Sequence, residues 1–315
     1  MRSRHRLSAA IAAVAFLGVP LSSADARSAS SDIDLGAMQG HLKALQQISD
    51  EHGGRGTGTT GYQKSVDYVK GKLQGAGYQV TVQPFDTQLG TSYNVIAEMP
   101  GTSPGPVVMV GGHLDSADNA GINDNGSGTA GVLETALAFA KSGEKPRNTL
   151  RFAFWGAEEL NLVGSTHYAE GLGTQGRDRI QAYLNVDMIA SKNAAYFVYD
   201  DNPAGNFIRD DLTKYFTSAG VQSEYTDPNG RSDHAALRRY GIPTGGIFTG
   251  AEQIKTSAQA QKWGGTAGKP YDSCYHQACD DMTNINTTAL DRHADAIGHL
   301  LWSYADKDFG SANTR

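Results

Sequence analysis

Residues 111–128 read G-G-H-L-D-S-A-D-N-A-G-I-N-D-N-G-S-G. The apolar residues Val107, Val108, Met109 and Val110 lead into this segment, and a run of small residues from Thr129 leaves it. His113 and the aspartates beside it therefore sit on a glycine-flexed loop where a strand becomes a helix. In an open α/β sheet, ligand chemistry is housed at the carboxyl ends of strands. His113 and Asp124 are thus expected to ligate a metal, with further ligands supplied from elsewhere in the chain.

Outward from this loop the chain alternates helical and strand patterns. Toward the N-terminus, Leu35, Met38, Leu42, Leu45 and Ile48 recur at helical spacing over 35–49. Five glycines within 52–61 mark a loop. Helical periodicity resumes over 62–75 through Val66, Val69 and Leu73, until Gly75 and Gly77 end it. Tyr78, Val80 and Val82 alternate with polar residues in a strand at 78–85, and 93–97 form the next, closed by Pro100 and Gly101. Toward the C-terminus, 131–141 predict an alanine-rich helix, and 150–155, 183–186, 196–199 and 245–249 predict strands. Helices are predicted at 206–219, 233–239 and 288–304. The runs 107–113 and 150–155 lack polar alternation, as expected of strands covered on both faces. The whole pattern predicts an α/β three-layer sandwich with a central mixed, mostly parallel sheet flanked by helices.

At 315 residues, 39% hydrophobic and 19% charged, with a mean hydropathy of −0.42, the chain suits one sizeable soluble core. Its first residues differ. Arg2, Arg4 and Arg6 precede an apolar run at 7–19, and Ala24-Asp25-Ala26 has the form of a signal-peptidase site. That run is shorter than the ~20 residues a spanning helix needs. The expected organisation is a signal peptide at 1–26, a polar leader at 27–31, one domain at 32–306 and a tail at 307–315, in a secreted, monomeric protein. A net charge of −6 without a basic cluster argues against nucleic acid and anionic membrane surfaces. In an exported protein the close pair Cys274 and Cys279 reads as a disulfide. As zinc ligands, two thiols alone would leave a structural site incomplete.

Three apolar strands are each followed by ionisable groups: His113, the pair Glu158 and Glu159, and Asp187. Parallel strands bring such positions to one edge of a sheet. Asp124 lies beside His113, and His276 lies between the two cysteines. Two imidazoles and four carboxylates suit a pair of divalent cations, because one carboxylate can bridge both while the others complete each shell. Ser232, Asp233 and His234 do not read as a hydrolase triad: adjacent residues on one helical turn point apart, and no G-x-S-x-G elbow is present. Asp233 and His234 are expected to support the site. His41, His52, His167, His293 and His299 stand apart from it.

H-L-D-S at 113–116, G-I-N-D-N-G-S-G at 121–128, W-G-A-E-E at 155–159, N-V-D-M at 185–188, R-S-D-H at 231–234 and C-Y-H at 274–276 succeed one another in this order. Together they resemble the secreted co-catalytic di-zinc aminopeptidases, above all the bacterial leucyl type, from about Asp32 to the C-terminal helix. The resemblance implies the zinc exopeptidase fold and two Zn2+ per chain. His113 and Asp187 would bind one, Glu159 and His276 the other, and Asp124 would bridge them. Glu158 would be the general base, taking a proton from water and passing it to the departing amine. Tyr275 would help hold the developing oxyanion. Asp115 resembles the family's carboxylate that orients a ligating histidine, and the family carries a cis peptide here at Asp124–Asn125. Arg231 would help recognise the free α-amine, through its backbone carbonyl or by ordering the carboxylates. Met188 and Phe248 match positions lining the pocket for the N-terminal side chain. Asp291 and Asp295 lie four residues apart on one helical face and would repel without a cation. To them the resemblance adds Asp32 and the carbonyl of Ile33, completing a Ca2+ site of oxygen ligands.

The expected function is hydrolysis of the N-terminal peptide bond of peptides or proteins, with a preference for large hydrophobic N-terminal residues. A carboxypeptidase or amide deacylase on the same scaffold is the alternative within hydrolases. A binding protein with a decayed metal site is the alternative from another class, and retention of all five proposed ligands and Glu158 speaks against it.

Overall fold

The strand that feeds the histidine loop is buried along its whole length and lies near the middle of the sheet. The computed structural model describes residues 32–103 and 105–310. The expected signal peptide at 1–26, the leader at 27–31 and the last part of the expected tail, 311–315, lie outside the described residues.

Among those residues one sheet has eight strands: β1 (Gln79–Thr87), β2 (Gly90–Met99), β3 (Val107–His113), β4 (Thr149–Trp155), β5 (Ile180–Val186), β6 (Phe197–Tyr199), β7 (Glu224–Thr226) and β8 (Thr244–Phe248). Their order is β1-β2-β4-β3-β5-β8-β6-β7. The central four, β4, β3, β5 and β8, run parallel. Antiparallel pairs join β1 to β2, β2 to β4 and β6 to β8, and β7 pairs parallel with β6. The sheet is therefore mixed and mostly parallel. From β3 the chain crosses to β4 on one side, and from β4 it crosses back past β3 to β5. Such a reversal opens a crevice at the carboxyl ends of the strands.

The helices are α1 (Leu35–His52), α2 (Thr60–Gly75), α3 (Gly128–Ser142), α4 (Val163–Gly171), α5 (Gly173–Arg179), α6 (Asn206–Ser218), α7 (His234–Arg238), α8 (Ser257–Trp263) and α9 (Thr287–Ala305). Alternate residues of the central strands enter opposite layers. Val108 and Val110 of β3 and Phe152 and Phe154 of β4 join the larger core with Leu42 of α1, Val69 of α2, Leu133 of α3, Leu212 of α6 and Leu301 of α9. Val107, Met109, Ala153 and Trp155 join a smaller core with Tyr168 of α4 and Leu237 of α7.

The expected helices and strands are all present, most with ends shifted by one to three residues. Pairing within the β1–β2 hairpin carries both strands further toward the turn, to Thr87 and from Gly90. Four elements are additions: β7, α4, α5 and α8. β7, α5 and α8 are too short to show a period, α4 turns inward a face made mostly of small residues (Gly164, Ser165 and Ala169 beside Tyr168), and neither α5 nor α8 buries any of its residues. A capping box between Thr256 and Gln259 holds the first turn of α8 instead.

Candidate active site

Three of the proposed ligand positions come directly from the sheet. His113 is the last residue of β3, Asp187 follows β5, and Glu158 and Glu159 lie just past β4. Asp124 arrives from the β3–α3 loop. Gly121 adopts the left-handed region there, with φ 55°, and a Cβ on it would lie 2.4 Å from the Asp124 carbonyl oxygen. The Asp124–Asn125 peptide is cis. His276 comes from the distant loop closed by the Cys274–Cys279 disulfide.

These residues converge. His113 Nε2 lies 3.2 Å from Asp124 Oδ1 and 3.4 Å from Asp187 Oδ1. His276 Nε2 lies 3.0 Å from Asp124 Oδ2 and 3.1 Å from Glu159 Oε2. The two oxygens of Asp124 thus face different imidazoles. Within 4.8 Å of one another stand the donor atoms of His113, Asp124 and Asp187, of Asp124, Glu159 and His276, and of His113, Glu158 and Glu159. Glu159 Oε1 and Asp187 Oδ1 are buried and accept no hydrogen bond from the described residues. A buried carboxylate oxygen without a donor is costly unless a cation meets it.

The electrostatics describe the same demand for positive charge. Burial pushes Glu158 well above the usual carboxylate range; His113 opposes this, and Asp233, Asp187 and Glu159 add to it. Burial likewise raises Glu159 to about 7, helped by Asp124. At Asp124 burial is outweighed by the hydrogen bonds of His113 and His276, which hold it below its ordinary value. His113 is raised well above its usual range despite burial, by Glu158 and Asp187 first. Hydrogen bonds to Asp124 and Glu159 lift His276 to about 10. Paired imidazoles and carboxylates with unfilled oxygens fit divalent cations that take nitrogen and oxygen ligands.

The supporting contacts were only partly legible. The Asp115 carboxylate accepts the backbone N–H groups of Glu158 (3.1 Å) and Glu159 (3.4 Å) and the Thr57 hydroxyl (3.1 Å). His113 Nδ1 lies 3.2 Å from the Asp115 backbone carbonyl and 3.6 Å from its carboxylate. Asp115 therefore fixes the glutamate pair at least as directly as the histidine. Arg55, buried inside the glycine-rich loop, donates to the carbonyls of Ala120 (2.8 Å), Leu114 (2.6 Å) and Gly121 (2.8 Å). Burial lowers its pKa to about 10, while Asp115, Asp280 and Asp124 oppose. Asp280 accepts the N–H groups of Asn123 (2.8 Å) and Asp124 (3.0 Å). Asp272 accepts from Asn123 Nδ2 (2.6 Å) and the Cys274 N–H (2.8 Å). These two aspartates tie the disulfide loop to the Asp124 loop.

Ser232 and His234 point apart. Ser232 donates to Asp187 Oδ2 at 2.6 Å, and His234 Nε2 lies 2.9 Å from Asp201 Oδ2. Behind Ser232 runs a chain of donors all directed one way: Trp155 to Tyr183, Tyr183 to Asn185 and Asn185 to Ser232, each 2.8 Å. Aligned donors polarise one another, and this chain ends on a carboxylate. Asp233 is buried, which raises it to about 7. No local motif reveals such a chain, because its members come from β4, from β5 and from the segment just before α7.

A cavity of about 310 Å³ opens beside the cluster, lined by Glu158, Met188, Arg231, Phe248, Tyr275 and the aromatic wall of Phe197 and Tyr271. The sequence-predicted pocket residues therefore share one space. Of the two routes expected for Arg231, the side chain does not take the one toward the buried carboxylates: its guanidinium donates to Glu252 (2.6 Å) and to the Tyr275 phenol (3.1 Å), which leaves its backbone carbonyl as the route to an ammonium group. Burial pushes the Tyr275 phenol above its usual range, with Arg231 opposing. The phenol stays protonated near neutrality, free to donate. Its ring stacks on His276, centroids 3.8 Å apart. Elsewhere, the Ile33 N–H meets Asp295 Oδ1 at 2.9 Å, and burial with Asp32 and Asp291 raises Asp295 to about 6. Asp32, Asp291 and Asp295 are not among the sets of three donors within 4.8 Å. Among the described residues no helix is long and apolar enough to cross a membrane.

Residues 94–301 match the description Peptidase family M28. The chain is similar to Leupeptin-inactivating enzyme 1 of Streptomyces exfoliatus, at 51% identity over 275 residues, covering 86% of this chain and 62% of that protein. It is similar to an aminopeptidase of Pseudomonas aeruginosa, at 51% identity over 219 residues, covering 66% of this chain and 40% of the relative. The chain thus spans less than two thirds of the length of these relatives. A solved aminopeptidase from Aneurinibacillus shares the fold at 18% identity, with a TM-score of 0.73 over 92% of this chain and 98% of that one.

Proposed function

The chain belongs to Peptidase family M28, and on that premise we propose that it is a secreted, monomeric two-zinc aminopeptidase that removes large hydrophobic residues from peptide and protein N-termini. The observation that carries this reading is the pair of three-donor sets sharing Asp124 beside an aromatic cavity. His113 and Asp187 would hold one zinc, Glu159 and His276 the other, and Asp124 both. When bound, the ions supply Lewis-acid polarisation of the scissile carbonyl and a lowered pKa for water.

Glu158, whose burial makes it proton-avid, takes the proton of the attacking water and returns it to the departing amine. The Tyr275 phenol, already accepting from Arg231, donates its own hydrogen to the carbonyl oxygen as charge develops there. Asp115 keeps Glu158 and Glu159 in register through their backbone. Met188, Phe248 and Phe197 exclude water around an apolar N-terminal side chain, and the carboxylates of Glu158 and Asp187 face its ammonium group. Export is supported by the disulfide, which persists in oxidising compartments. A Ca2+ ion at Asp32, the Ile33 carbonyl, Asp291 and Asp295 belongs to the same proposal, supported by the charges of Asp32 and Asp291, which add to the burial that raises Asp295. Unchanged thermal stability of Asp295→Ala, with and without added calcium, would remove it.

Turnover of a leucyl anilide and its N-acetylated form, before and after chelation, tests the main reading. Hydrolysis of the free amine alone, abolished by chelation and restored by zinc, is expected. Equal turnover of both would favour an amide deacylase on the same scaffold.

A further inference from the structure

The donor cluster opens in two directions, and His276 lines both spaces. A second cleft of about 290 Å³ shares only His276 with the aromatic cavity and is bounded by Thr57, Leu89, Asp118, Glu159 and Leu160. Leu89, 53% exposed at the tip of the β1–β2 hairpin, overhangs this second cleft, while Ile254, 55% exposed, rims the first. Each space thus carries one exposed apolar side chain in its lining, surface that a peptide reaching from one space into the other through the cluster would cover.

Asp118 gives the second cleft a sign. Its side chain is exposed and its backbone is left-handed, with φ 54°. Its carboxylate has no hydrogen-bond or ion-pair partner among the described residues. The side chain leans over Gly56, where an added Cβ would fall 2.1 Å from Asp118 Oδ1. Gly56 therefore keeps open the position this carboxylate occupies.

We propose that this cleft receives the second residue of the substrate, the one just after the scissile bond, and that Asp118 selects a lysine or arginine side chain there over an acidic one. The inference rests on the aminopeptidase reading and names its substrate more closely. The aliphatic stem of such a side chain packs on Leu89 and Leu160, and its cationic head meets Asp118.

The test compares kcat/KM for leucyl-lysine amide and leucyl-glutamate amide within each variant. The unmodified protein is expected to favour the lysyl substrate by roughly threefold to fivefold at low ionic strength, the range of an exposed ion pair. The preference shrinks as salt is added. Asp118→Asn, a change that the left-handed backbone tolerates, brings the ratio to within about twofold. Leu89→Lys, on an exposed hairpin turn, shifts it toward the glutamyl substrate. A ratio unchanged in both variants overturns the assignment of the cleft while leaving the aminopeptidase reading intact. No turnover of either amide, nor of a leucyl anilide, by the unmodified protein would overturn both.

Discussion

His113 and His276 meet the same aspartate from opposite kinds of structure. His113 ends a central strand and its side chain is 1% exposed; His276 stands on a loop, 38% exposed, with a left-handed φ of 56°. The strand half of the cluster is positioned by the sheet ladder and by Arg55, which gathers three carbonyls of the adjoining loop. The loop half has no ladder. It depends on the disulfide, on Asp272 and Asp280, and on Asn119 donating to the Gln277 carbonyl at 2.9 Å. A ligand on a sheet edge inherits its position from regular structure, whereas a ligand on a loop needs dedicated anchors.

The largest effect is expected at Glu158, which stands beside His113 and is a ligand in neither half of the proposed two-zinc site. Glu158→Ala is expected to leave metal content unchanged while turnover falls by about 10²–10⁴-fold, the range of general acid–base catalysis. Near wild-type rates would assign the proton transfer elsewhere. Next, His113→Ala and His276→Ala should differ in kind. Both are expected to lose one metal equivalent by elemental analysis, but only His113→Ala should also lower the thermal midpoint of the chelated protein, because it empties a buried site. Equal midpoints would erase the distinction between the halves.

Arg55→Met tests the strand half without touching a proposed ligand. It strands three buried carbonyls and removes a cation facing Asp115 and Asp280, so a loss of about 2–5 kcal/mol is expected in denaturant unfolding. A stability within error of the parent would show that the loop is held by its other contacts. The smallest effect is expected from Cys274→Ser with Cys279→Ser, about 2 kcal/mol from chain entropy for so short a loop. Its diagnostic sign is weaker metal affinity confined to one of two equivalents, read by competition with a chromophoric chelator.

The expected architecture was legible because runs such as 107–113 and 150–155 are buried on both faces and carry no competing pattern. Short elements such as β7 and α8 were not, since three to seven residues hold too little periodicity to separate from loop. The candidate site was legible where a chemical residue type falls at the end of an apolar strand, as with His113, Glu158, Glu159 and Asp187. Asp118 and Leu89 gave no such signal: one is an aspartate among several, the other a lone leucine in a turn.

Which residues stand at the strand ends follows from local pattern, because hydrophobic burial sets where each strand stops and turn chemistry shapes the loop beyond it. The family likeness is equally local, carried by motifs held in order along the chain. That Arg231 serves Tyr275 and Glu252, that Asp115 holds the glutamate backbone, and that Ser232 completes a donor chain onto Asp187 are facts of the folded chain alone. Those contacts join segments tens of residues apart, and the free energy of pairing buried polar groups is set by who is adjacent in space, which no local pattern records.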